Sequence, residues 1–230
     1  TPLYSSAASD VYKRQIYMML SKFTDWDYQV VIEALENRSG MDLFTHDETV
    51  RKILKEVKER GDEAVLEYTK RFDRYDLLVE QLRVTPEEIR LAYDDVSKEE
   101  LEALKEAAER IRCFHERQRQ ESWRYEEEGI TLGQMVRPLA TAGIYVPGGK
   151  ASYPSSVMMN AIPAKVAGVD RVIMCSPFPE GHTRPHVLVA ADIAGVTEIY
   201  KVGGAQAVAA MAFGTETLPR VDKIVGPGNI

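Results

Sequence analysis

Apolar positions recur at helical spacing through the first half of the chain and give way to short apolar runs in the second. Val50, Ile53, Leu54 and Val57 fall at i, i+3, i+4 and i+7, one face of a helix that stops at Gly61. Asp62 is placed to cap a second helix that runs through Ala64, Val65, Tyr68 and Phe72. Thr85-Pro-Glu-Glu88 and Ser97-Lys-Glu-Glu100 are capping boxes. The second box opens a long helical run to about Gln120, with Leu101, Leu104, Ala108, Ile111 and Phe114 as its apolar stripe. The charges between them read as a solvated face.

Beyond Gly129 the period changes. Ile130 to Val136, Ala142 to Val146, Arg171 to Cys175, Glu198 to Val202 and Val221 to Val225 read as strands. Helices over residues 154–167, 185–194 and 204–213 separate the later ones, with Pro154 at a first helical position and Gly195 closing the second. Strands alternating with helices of this length predict βαβ crossovers and a parallel sheet.

In a parallel sheet every strand ends on the same edge. Val146-Pro-Gly-Gly149, Val202-Gly-Gly-Ala-Gln206 and Val225-Gly-Pro-Gly-Asn229 therefore gather along one rim, where open α/β sheets bind ligands. Pro147-Gly148 fits the centre of a type II turn. Glycine lets backbone approach a phosphate, and helix N-termini favour its charge. Tyr145, Gln206 and Asn229 stand among these glycines as polar groups able to orient a ligand. Two readings fit the spacing: a nucleotide site, or glycines that only make tight turns. The usual G-x-G-x-x-G is missing, and no Asp or Glu ends the Arg171–Cys175 strand to hold a ribose.

Charge and composition sharpen this picture. Of the 29 Lys/Arg and 36 Asp/Glu, only 8 and 6 fall in residues 131–230, where most glycines and prolines also lie. A charged helical segment, 21–130, is thus followed by a glycine-punctuated α/β segment, 131–230. A formal net charge of −7 argues against a general nucleic-acid binder. No apolar run is long enough for a membrane span, and no signal-peptide pattern is present. Two cysteines, Cys113 and Cys175, lie far apart, which fits a reducing, cytoplasmic setting. Residues 1–20 share none of these patterns, and Ser9-Asp-Val-Tyr-Lys-Arg-Gln15 resembles translated adapter sequence, so a non-native or disordered leader is expected there.

Other candidates carry blander readings. His182 and His186 have i, i+4 spacing, but Gly181 and Pro185 interrupt the helix such a metal site needs. Cys175 reads as a buried strand residue rather than a nucleophile, and Ser155 and Ser156 as capping residues. Lys150 follows the glycine pair and is within reach of a bound phosphate, although exposed loop lysines are common.

Several long consecutive motifs resemble histidinol dehydrogenase. They are Gly143-Ile-Tyr-Val-Pro-Gly-Gly149, Tyr153-Pro-Ser-Ser-Val-Met-Met-Asn-Ala-Ile-Pro-Ala-Lys-Val-Ala-Gly168, Gly203-Gly-Ala-Gln-Ala207 and Val221-Asp-Lys-Ile-Val-Gly-Pro-Gly-Asn229. Gly61-Asp62, Glu67-Tyr-Thr69 and Phe72-Asp73 are similar to that family's N-terminal helices, so the resemblance spans about residues 25–230. It implies an α/β fold: an N-terminal helical segment, then a Rossmann-like parallel sheet with helices on both faces, incomplete at its C-terminal end. It implies oxidation of L-histidinol through L-histidinaldehyde to L-histidine in histidine biosynthesis, with NAD and zinc as cofactors and a homodimer as the working form. Tyr145, Gln206 and Asn229 match the family's NAD-contacting positions. The zinc ligands and the Glu-His acid/base pair are expected beyond Ile230, which makes the chain an N-terminal part, inactive alone, whose helical segment is completed by later chain. A non-catalytic nucleotide-binding module is the alternative.

Overall fold

The computed structural model describes residues 47–148 and 153–227. Glu48–Ile230 forms one compact unit. Among the described residues four α-helices come first: α1 (Asp47–Arg60), α2 (Asp62–Asp73), α3 (Pro86–Asp94) and α4 (Lys98–Glu116). A hairpin, β1 (Trp123–Glu127) and β2 (Ile130–Gln134), follows. The chain then alternates through β3 (Thr141–Tyr145), α5 (Pro154–Val166), β4 (Arg171–Cys175), α6 (Pro185–Ile193), β5 (Glu198–Tyr200), α7 (Gly204–Phe213) and β6 (Lys223–Val225).

Four strands form one parallel sheet in the order β5-β4-β3-β6. Counted within the sheet this is 3-2-1-4, the first four strands of the Rossmann order, and its switch point lies between β3 and β6. Side chains alternate across the sheet as strand geometry demands. Ala142, Ile144, Val172, Met174 and Ile199 join one buried cluster with α5 and α6, against which α3 and α4 pack. Ile173, Cys175 and Tyr200 join a second cluster on the other face with α1, α2 and α7. Helices thus cover both faces, and the N-terminal helices divide between them.

Local chemistry explains how these elements are fixed. Thr85 and Ser97 each accept from a backbone N–H while Glu88 and Glu100 bond back to the cap residues' N–H, closing both capping boxes. The α2 cap differs from expectation: Gly61 is the cap, and Asp62 is the first helical residue. Its N–H donates to Glu216 at 2.9 Å and its carboxylate accepts from the Thr217 hydroxyl, so a distant loop caps this helix. On the second face a Cβ at Gly143 would lie 2.7 Å from Met211 Sδ and 3.0 Å from a Val221 methyl, so glycine lets α7 lie close to β3.

The first strand beyond Gly129 also departs from expectation. Ile130–Gln134 is a strand, but it pairs antiparallel with Trp123–Glu127 instead of joining the parallel sheet. Alternation identifies a strand without naming its partner.

Candidate functional site

Because β3, β4, β5 and β6 run parallel, the segments that leave them meet along one rim. The glycines there act chiefly through close approach. A Cβ at Gly148 or at Gly203 would collide with Pro177, so this proline is wedged between the turns leaving β3 and β5. Gly148 does not take the positive φ that a type II turn with Pro147 needs, and it is not among the residues with that geometry. The expected turn is therefore replaced by steric contact with Pro177. Gly226 (φ 146°) lies so near the Tyr145 carbonyl that no side chain fits, and Gly204 (φ 65°) adopts a conformation that favours glycine.

The residues that precede the helices starting at this rim supply no side-chain caps. Tyr153, Arg184 and Gly203 precede α5, α6 and α7, and none makes a side-chain cap hydrogen bond. Ser155 and Ser156 therefore sit inside the first turn of α5 without the capping role expected of them. The positive ends of these helices suit an anion.

Two of the three predicted site residues come together at the start of α7. The Gly204 N–H donates to Tyr145 Oη at 3.1 Å, which leaves the phenolic proton free for another acceptor. A Cβ on Gly204 would lie 2.6 Å from Gln206 Oε1, so the Gln206 amide folds back against the same glycine. Gln206 is 1% exposed, and neither Oε1 nor Nε2 has a hydrogen-bond partner. Asn229 lies outside the described residues, as does Lys150.

A third polar group, not predicted from the pattern, stands close by. Asp73 is the last residue of α2, and its Oδ2 is buried without a hydrogen-bond partner. Burial pushes its carboxyl up to about 6. Burial also raises the Tyr145 phenol; the Gly204 N–H opposes that rise, and the charges of Asp73 and Cys175 add to it. Next to Asp73 in the chain, Arg74 Nη1 lies 3.8 Å from Glu180 and Tyr75 packs on Gly181, which sets the end of α2 beside the segment leaving β4. Only Phe72-Asp73, within the helical motifs, carried any signal of it in the sequence.

The remaining candidates lie elsewhere. Cys175 is fully buried, and burial alone lifts its thiol pKa far above the ordinary range, as suits a strand residue of the core. His182 Nε2 lies 3.8 Å from Glu180 and His186 Nε2 lies 3.1 Å from Glu100, so the two rings face different carboxylates. Among the described residues no group of three His, Cys, Asp or Glu is placed to hold a metal ion. A groove of about 670 Å³ between His115, Pro138, Met159 and Lys223 contains none of Tyr145, Gln206 or Asp73.

Strand order, helices on both faces and a glycine rim at the helix starts define a Rossmann-like α/β protein. The sequence profile described as histidinol dehydrogenase matches residues 36–230. Histidinol dehydrogenase of Syntrophotalea carbinolica is 56% identical over 93% of this chain and 50% of its own length. That of Aquifex aeolicus is 52% identical over 90% of this chain and 47% of its own. The crystal structure of histidinol dehydrogenase from Elizabethkingia anophelis superposes with a TM-score of 0.76 at 40% identity, over 80% of this chain and 42% of that one. The chain belongs to the histidinol dehydrogenase family, and it spans about half the length of the curated relatives it matches.

Proposed function

We propose that this chain is the NAD-binding half of an NAD- and zinc-dependent histidinol dehydrogenase, acting in the cytoplasm as part of a homodimer. The observation that carries the NAD assignment is Gln206, an amide buried with both polar atoms unpaired at the start of α7. Leaving buried polar groups unpaired costs free energy that a partner recovers, and a nucleotide has both donors and acceptors to offer. Family membership supports the substrate and the reaction, L-histidinol through L-histidinaldehyde to L-histidine. The alternative of a non-catalytic module has no observation of its own in its favour.

The residues present fit NAD. Gln206 would pair with the cofactor through its amide. Tyr145, held by the Gly204 N–H, would turn its phenolic proton toward it. The start of α7, where Gly203 and Gly204 stand, would face the pyrophosphate. Bound NAD supplies the hydride acceptor for oxidation of the substrate's alcohol and then of its aldehyde. The described residues do not fit zinc, since no cluster of His, Cys, Asp or Glu among them is placed to hold it. Catalytic groups are proposed beyond Ile230, as is the later chain that completes the helical segment 21–130.

The test is an oxidation assay on the full-length protein with L-histidinol, NAD and zinc, following NADH. Formation of NADH that requires histidinol, with histidine as product, is expected. No histidinol-dependent reduction of NAD by a folded full-length protein would contradict the reading.

A further inference from the structure

We propose that Asp73 is the carboxylate that holds a ribose diol of the bound dinucleotide, supplied from helix α2 rather than from the sheet. This rests on the NAD reading given above and names a residue that reading does not use.

Three observations carry it. The first is a vacancy in the usual arrangement. In folds of this strand order an acidic residue at the end of the second strand accepts from the ribose hydroxyls. Here that strand is β4, and it ends in Cys175-Ser176-Pro177. Pro177 fills the space between Gly148 and Gly203, so no carboxylate stands at that position to accept from a diol. Glu180, the next acid along, is exposed, and its carboxylate faces Arg74 and His182 at 3.8 Å.

The second observation is the placement of Asp73. Helix α2 packs on α7, and both contribute to the cluster on the face of the sheet that carries Tyr145. Just past the end of α2, Arg74 Nη1 lies 3.8 Å from Glu180 and Tyr75 packs on Gly181, so Asp73 stands by the segment leaving β4, at the end of the sheet where the Tyr145 hydroxyl meets the start of α7. Gln206 lies against the same glycine as that hydroxyl. Three polar side chains from α2, β3 and α7 therefore converge on one end of the sheet.

The third observation is that Asp73 Oδ2 is buried and accepts no hydrogen bond, although an ionised carboxylate is an acceptor only. Such a group calls for a donor. It would repel a phosphate, which the helix start already suits, whereas ribose hydroxyls are the dinucleotide's paired donors. The two features divide the ligand between them: helix start and glycine backbone for the pyrophosphate, Asp73 for a sugar.

The test is calorimetric titration of the full-length protein with NAD and with NAD analogues that lack a ribose 2′-hydroxyl on either side, comparing wild type with Asp73→Asn. Hydrogen bonds to charged groups predict a ~10- to 100-fold weaker NAD affinity for the variant. That loss should shrink to within about twofold on the analogue missing the hydroxyl that Asp73 holds, because the two changes remove one interaction. The unliganded melting temperature of Asp73→Asn should equal or exceed that of wild type, which separates lost binding from lost folding. Equal NAD affinity in variant and wild type would overturn the assignment while leaving the NAD reading intact. A wild type that binds no NAD would overturn both.

Discussion

A buried amide left without partners costs about 1–3 kcal/mol for each unpaired group, so Gln206 holds its place in the unliganded protein at a loss that a ligand would recover. Asp73 stores a similar loss, and its pH dependence follows from its sign. A carboxyl whose folded pKa is about 6 against 3.8 unfolded binds its proton more tightly in the folded state. Its contribution is fully favourable below 3.8, is lost as the pH climbs through about 6, and is constant above that. Asp73→Asn is therefore expected to raise the melting temperature above pH 6 by roughly 2–4 °C, after allowance for its partial exposure, and to change it little at the acid end. Melts across the pH range check this, and a gap of equal size at both ends would refute it. Tyr145 and Gln206 were legible in the sequence because each adjoins a glycine turn that a parallel sheet must bring to the rim. Asp73 was not, since it sits on a helix some seventy residues before β3 and only tertiary packing places it there.

Elements show the same division between local and distant causes. Helices α3 and α4 begin where their capping boxes place them, because every group of a capping box lies within one turn. The hairpin was half legible. Its alternation marked Ile130–Gln134 as a strand, but Trp123–Glu127 went unread beside the long helical run. Its register sets Trp123, Tyr125, Ile130 and Leu132 on one face, all exposed, with Arg124, Glu126 and Thr131 on the other. The exposed edge of β5 is shielded by Leu82–Val84, whose backbone bonds to Ile199 and Lys201. Lys201, 5% exposed, fastens that join by reaching Glu88 Oε1 at 2.6 Å. Burial works against ionisation of Glu88, but Lys201 and the Thr85 backbone and hydroxyl groups outweigh it and hold the carboxyl below its usual range. Lys201→Ala strands this carboxylate and is expected to cost about 2 kcal/mol in urea unfolding, whereas Lys201→Ala combined with Glu88→Gln should recover part of the loss. Equal stability of Lys201→Ala and wild type would show the pair to be idle.

At the scale of the molecule, the α/β class and the parallel sheet were legible because alternation of strand and helix admits few topologies. The order 3-2-1-4 was not, since sequence spacing does not say on which side of β3 the chain returns as β6. Nor did it show that α1 and α2 cover one face while α3 and α4 build on the other; that division depends on which helical faces match the two sides of the sheet. The result places α2, from the charged first half, against the same rim as the glycine turns of the second. The central claim is that this rim takes NAD through Gln206. Thermal melts of the full-length protein with and without NAD, for wild type and Gln206→Leu, test it most directly. The account predicts that NAD at about 100 times its Kd stabilises wild type by about 2.7 kcal/mol, seen as a rise in Tm. Gln206→Leu, which replaces an unpaired amide by an apolar group of similar size, should melt no lower than wild type without ligand and lose most of that rise. A wild type whose Tm does not respond to NAD, or a variant that responds as fully as wild type, would contradict it.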